Sequence, residues 1–123
     1  MPRRGFTLIE LLVTLTIIGL LLSIVMPRYF GTLTRADEAA LKEDLFLMRD
    51  AIDKHFADTG RYPASLDELA LKKYIRSVPI DPITQTQSSW IIIAPADTQL
   101  GAVYDVKSGA RGVARDGRPY GQW

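Results

Sequence analysis

The 123-residue sequence predicts an α+β chain. One long N-terminal helix, apolar in its first half and amphipathic in its second, is packed by a short helix, a small antiparallel sheet and a Gly-rich C-terminal coil. Three observations predict this. Residues 6–26 are almost wholly apolar, with Glu10 the one charge among them. Residues 35–58 place Leu41, Leu45, Met48, Ile52 and Phe56 at helical spacing. Two β-rich runs, 90–94 and 102–106, flank a stretch that reads as a hairpin connection.

Composition narrows the function classes. Fifteen Lys and Arg against fourteen Asp and Glu give a net charge of +1, so no global basic field points to nucleic acid. The absence of Cys excludes a disulfide scaffold, a Cys zinc site and a thiol nucleophile. A single His, His55, argues against a Ser-His-Asp triad or a His-rich metal centre. The length suits one small domain. No catalytic constellation emerges, and the part after the apolar run leaves little room for a pocket. A membrane-tethered ligand-binding or enzymatic domain is therefore the rival to a structural role.

The apolar run, as helix, spans about 31 Å, the thickness of a bilayer's hydrocarbon. Arg3 and Arg4 precede it, which by the positive-inside rule leaves the N-terminus in the cytoplasm and sends the remainder across. A cleaved secretory signal would have a shorter apolar core and a small-x-small cleavage site, and Met26-Pro27-Arg28-Tyr29 is a poor one. A plain signal anchor explains the apolarity but not Glu10. An acid inside a membrane helix costs up to roughly 3 kcal/mol and marks function. The run holds no cation, so Glu10's counter-charge is expected from another chain or from processing.

Gly5-Phe6-Thr7-Leu8-Ile9-Glu10 after a short basic leader resembles the class III signal of type IV pilins and type II secretion pseudopilins. The resemblance implies a pilin-like fold and three segments: a leader at 1–5, a transmembrane and filament-core helix at 6–26, and a periplasmic domain at 27–123. It implies cleavage after Gly5 by a prepilin peptidase, methylation of the Phe6 amine, and Glu10 as the characteristic acid. Physically, the new amine of one subunit can pair with Glu10 of the next, each charge being costly alone in an apolar core.

Pro27 removes a helical donor and crowds the Ser23 carbonyl, while Gly19 weakens the same stretch. Pilin relatives often carry a Pro here, and residues 19–27 are the segment expected to loosen on assembly, the other reading being a static kink. Beyond it, charges fill the faces beside the apolar stripe, with Glu38–Lys42 and Asp50–Lys54 as favourable i,i+4 pairs. The helix is expected over roughly 7–58, with Gly60 as its C′ residue. His55, beside the stripe, reads as a packed or surface histidine before a metal ligand.

Ser65-Leu66-Asp67-Glu68 has capping-box spacing and starts a short helix to about Lys73. Thr59-Gly60-Arg61-Tyr62-Pro63 is a turn that sends the chain back along the long helix. It resembles a turn of the G-type major pseudopilin, as the extended Val78-Pro79-Ile80-Asp81-Pro82 resembles another stretch of that family. Residues 107–123 read as coil anchored by Tyr120 and Trp123.

Major pseudopilins usually bind calcium in this last region, and Tyr104-Asp105-Val106-Lys107-Ser108-Gly109-Ala110 resembles the start of their loop. The family's next Asp is here Arg111, and its acidic continuation is missing. Asp105, Ser108 and Asp116 are the candidate oxygen donors, with Arg111 and Arg115 close in sequence. The reading is a metal-free fold held by Tyr120 and Trp123, with calcium as the alternative.

By resemblance, then, the chain is a structural subunit, not an enzyme. It rests in the bacterial inner membrane as a single-pass protein and polymerises into a periplasmic pseudopilus that drives type II secretion. The implied partners are copies of itself, minor pseudopilins, the prepilin peptidase, a platform membrane protein, membrane lipid and, indirectly, an assembly ATPase. A type IV pilin or minor pilin is the alternative; those usually carry a disulfide loop, which a Cys-free chain cannot form.

Overall fold

A computed structural model describes residues 4–123, and the side chains of all of these except 30–33. Arg3, and with it most of the expected leader, lies outside the described residues. The chain divides into two units, Met1–Arg35 and Ala36–Trp123.

Helix α1 runs Leu8–Thr59, 52 residues, one residue later at each end than the sequence pattern suggests. In the first unit every described apolar side chain of the run is exposed, from 47% at Ile18 and Met26 to 91% at Phe6. The polar side chains of this stretch are spent internally. Thr14 Oγ1 donates to the Glu10 carbonyl (2.8 Å), Thr16 Oγ1 to Leu12 (2.7 Å) and Ser23 Oγ to Leu20 (2.7 Å). Past the Glu10 carboxylate this leaves an apolar surface, as a hydrocarbon environment requires. Pro27 lies inside α1. The helix does not end there, so the expected defect is a missing donor to Ser23 rather than a break.

The second unit is built on the rest of α1. Leu41, Leu45, Met48 and Ile52 are each at most 2% exposed, as the spacing predicts. Phe56, the fifth member of the stripe, is half-buried and stacks on Tyr62 with ring centroids 4.4 Å apart. Gly60 closes the helix at φ +74°, its N–H donating to the Phe56 carbonyl at 2.8 Å.

Helix α2 runs Leu66–Leu71, shorter than expected. Ser65 Oγ accepts from the Glu68 N–H at 3.2 Å. Glu68 reaches back to the Ala64 N–H, one residue before the cap. Lys73 at φ +63° turns the chain out of the helix. Leu66 and Leu69 join the core cluster with the α1 stripe.

Strands β1 (Ile91–Ile93) and β2 (Asp105–Lys107) pair antiparallel, Ile92 opposite Val106. The second strand starts three residues later than expected, because Ala102 and Val103 have another partner. The Ala102 and Val103 N–H groups donate to Pro63, and Tyr62 N–H donates to Leu100. Gly101, at φ +137°, lies so close that a Cβ would stand 2.2 Å from the Tyr62 carbonyl oxygen. A single 3₁₀ turn, Thr98–Leu100, fills the connection. The hairpin thus docks on the Tyr62-Pro63 turn through its backbone, and Trp90, Val103 and Val106 share one core cluster with the α1 stripe.

Candidate functional site

The sequence points to the start of α1. Thr7 caps the helix: its Oγ1 accepts from the Glu10 N–H at 3.2 Å, while Glu10 Oε2 accepts from the Thr7 N–H at 3.3 Å. This is a reciprocal capping box. It amends the expectation that Glu10's partner must come from outside the chain. The carboxylate has a neutral partner three residues away, though no counter-charge. Thr7 is the residue that sequence reasoning overlooked, and its S/T-x-x-E spacing was the available signal.

Gly5 and Phe6 precede the helix without regular secondary structure, both exposed. The Gly5–Phe6 peptide bond thus lies outside the helix, which begins at Leu8. Gly19 and Pro27 are both exposed and helical. Nothing lies within 4 Å of where a Gly19 Cβ would stand, so packing within this chain does not require the glycine. By length and composition α1 carries a span able to cross a membrane.

The three calcium candidates stand on three different partners. Asp105 Oδ1 accepts from Arg49 Nε at 2.9 Å and from the Val106 N–H at 2.8 Å. Asp116 is taken by Arg118, through its N–H (3.0 Å) and its Nε (3.1 Å). These contacts hold the Asp116 carboxyl below its ordinary range, the backbone bond most of all. Ser108 is fully buried, donates to Asp81 Oδ2 and accepts from the Ala110 N–H at 3.1 Å. Among the described residues no three His, Cys, Asp or Glu side chains are grouped to hold a metal. Calcium needs six to eight oxygens converging with carboxylates among them, and this donor set does not fit it.

Tyr120 and Trp123 hold the tail, as expected. The Tyr120 hydroxyl donates to Glu38 Oε1 at 3.0 Å, and the two rings meet edge to face at 5.3 Å. Burial, then Glu38, pushes the Tyr120 phenol above its ordinary range. Glu38 therefore does not make the expected pair with Lys42. It turns inward to Tyr120 and the Arg115 N–H (2.9 Å), while Lys42 Nζ sits 4.8 Å from the Trp123 ring centre. The Asp50–Lys54 pair forms at 2.8 Å.

His55 is 2% exposed. Its Nδ1 lies 2.7 Å from the Arg61 carbonyl and its Nε2 3.4 Å from Lys72 Nζ, and Tyr74 meets its ring edge-on at 5.4 Å. It ties the end of α1 to the Gly60 turn and α2, the packed-histidine reading. The open cleft beside it is also lined by Glu68 and Lys72, which pair with each other at 2.9 Å.

Residues 1–26 match the family model of the prokaryotic N-terminal methylation motif. A type II secretion system core protein G of Dickeya chrysanthemi is 31% identical over 119 residues, covering 97% of this chain and 77% of that protein. The protein of the same name from Klebsiella pneumoniae is 31% identical over 137 residues, covering 98% and 94%. That of Klebsiella michiganensis is 32% identical over 110 residues, covering 89% and 78%. No solved structure matches the chain significantly. With a methylation motif ending where the apolar run ends, and likeness to these relatives along nearly its whole length, the chain belongs to the type II secretion system core protein G family.

Proposed function

We propose that this chain is a structural subunit of a periplasmic pseudopilus, anchored in the inner membrane before assembly and drawn into the filament after processing. One observation carries the reading. Residues 6–26 offer an apolar helical surface whose described side chains are all exposed. Such a surface needs lipid or neighbouring helices.

In this reading a prepilin peptidase cuts after Gly5 and methylates Phe6. The new amine of one subunit meets Glu10 of the next. Because a carboxylate offers about four lone-pair directions, Glu10 can hold the Thr7 N–H and accept an ammonium at once. Pairing cancels two charges that are each costly in an apolar core, and so favours one axial register. Gly19 and Pro27 lower the cost of reshaping α1 as neighbours close in. The Ala36–Trp123 unit stands in the periplasm. Its contacts would be with further copies and with minor pseudopilins, and a platform membrane protein, driven by a cytoplasmic ATPase, would add subunits.

Mass spectrometry of the membrane-extracted protein tests the reading. The expected product lacks residues 1–5 and carries one added methyl group. A product that keeps its leader and still supports secretion overturns it.

A further inference from the structure

The segment 105–123 is fastened to α1 by charged groups on one face of that helix. Glu38, Lys42 and Arg49 are spaced by four and seven residues, which brings them to a common face. Arg49 makes the central contact. Its Nε donates to Asp105 Oδ1 (2.9 Å), and its terminal nitrogen Nη2 donates to the backbone oxygens of Val106 (3.0 Å) and Trp123 (2.7 Å). Three oxygens, one of them from a carboxylate, thus converge on one cationic group, joining β2 to a residue 18 positions further along.

We propose that the Arg49 guanidinium is a built-in substitute for a bound metal cation, so that this domain folds and holds its C-terminal segment without calcium. Oxygen donors of this kind, a carboxylate and backbone carbonyls, are those calcium takes. A guanidinium presents its donors in a rigid fork and stays charged at any physiological pH. Being covalently part of α1, it needs no free ligand to be in place. Asp105 is already committed to it, Asp116 is held by Arg118, and Ser108 is buried against Asp81. Glu38 supplies the opposite charge between those points, accepting from Arg115 N–H and the Tyr120 hydroxyl. The inference stands apart from the pseudopilus reading, since it concerns the folding of the Ala36–Trp123 unit alone.

Thermal unfolding of the full chain in detergent micelles, followed by Trp90 and Trp123 fluorescence, tests it. The wild-type Tm is expected to be the same in chelator and in millimolar calcium, whereas a ligand bound only by the folded state would raise it. Arg49→Met is expected to lower Tm by roughly 5–15 °C, with no rescue by calcium. It should also open the 107–123 segment to proteases. Arg49→Lys, which keeps the charge but loses the fork, is expected to fall between. A calcium-dependent rise in the wild-type Tm overturns the proposal, as does an Arg49→Met Tm equal to wild type. The wild-type comparison decides the question even if Arg49→Met fails to fold.

Discussion

The proposed filament would give Glu10 a second role beside its helix cap, and one pair of substitutions tells the two apart. In the free subunit its side chain caps α1 through the Thr7 N–H at 3.3 Å. In the proposed filament its charge meets a neighbour's amine. Glu10→Gln keeps the capping oxygen, since a capping box accepts Gln as well as Glu, but removes the charge. Glu10→Ala removes both. Loss of the cap costs about 1 kcal/mol and should lower helix content only at the first turn of a 52-residue helix. Loss of the charge leaves the neighbour's ammonium without a counter-charge among apolar side chains. At about 3 kcal/mol on an insertion scale, that weakens each subunit addition roughly 100-fold. Circular dichroism in micelles is expected to show Glu10→Gln indistinguishable from wild type. Filament yield on overproduction, scored by electron microscopy, is expected to collapse for both variants alike. If Glu10→Gln assembles normally while Glu10→Ala does not, the acid is a helix cap and the charge-pair account is wrong.

Two further predictions concern the Ala36–Trp123 unit. Asp81 is 0% exposed and accepts from Ser108 Oγ, the Ile83 N–H (2.8 Å) and the Thr84 N–H (3.3 Å). Asp81→Ala, by orphaning those donors, should cost about 3–5 kcal/mol in denaturant unfolding, and Asp81→Asn less, so a loss under about 1 kcal/mol for Asp81→Ala refutes the anchor role. The Asp44 carboxyl is held above its ordinary range by burial first, then by Asp81 and Glu43; a raised folded pKa favours folding below the unfolded value and loses that advantage as pH rises through the folded one. Asp44→Asn should therefore be more stable than wild type at neutral pH, by about 0.5 kcal/mol, with the gap closing below the ordinary Asp pKa; a gap that persists in acid refutes the cause.

The helices were legible in sequence because their signals are periodic and local. The 41–56 stripe marks the buried face of α1, Gly60 its end, and Ser65 with Glu68 the start of α2. The strand register was less legible. Nothing local in Ala102 or Val103 says that their N–H groups are claimed by Pro63, 39 and 40 residues earlier. Charged residues were the least legible of all. An i,i+4 rule assigns Glu38 to Lys42, yet Glu38 is satisfied by groups 77 and 82 positions away. Arg49 and Asp81 likewise take their meaning from partners 56 and 27 residues distant. Periodicity marks which face of a helix is buried, but not which far segment a charge on its border will hold.

That difference bears on how function is read from the two units. In Ala36–Trp123 the apolar stripe of α1 is covered by α2, the hairpin and the tail, and its border charges find partners in the same chain. In Met1–Arg35 the same helix has the hydroxyls of Thr14, Thr16 and Ser23 satisfied and its first turn capped, while the apolar side chains of residues 6–26 are left exposed. A helix bonded in this way has no reason of its own to be apolar on every face. Propensity would be served as well by Lys, Glu or Gln at the same positions. An all-round apolar helix is the kind that is buried, here by lipid or by other helices. Against that background a carboxylate at the fifth position of the run is a cost that the monomer does not recover, because the Thr7 cap would serve as well with Gln. In the proposed filament, the charge at Glu10 answers to the amine of a neighbouring subunit.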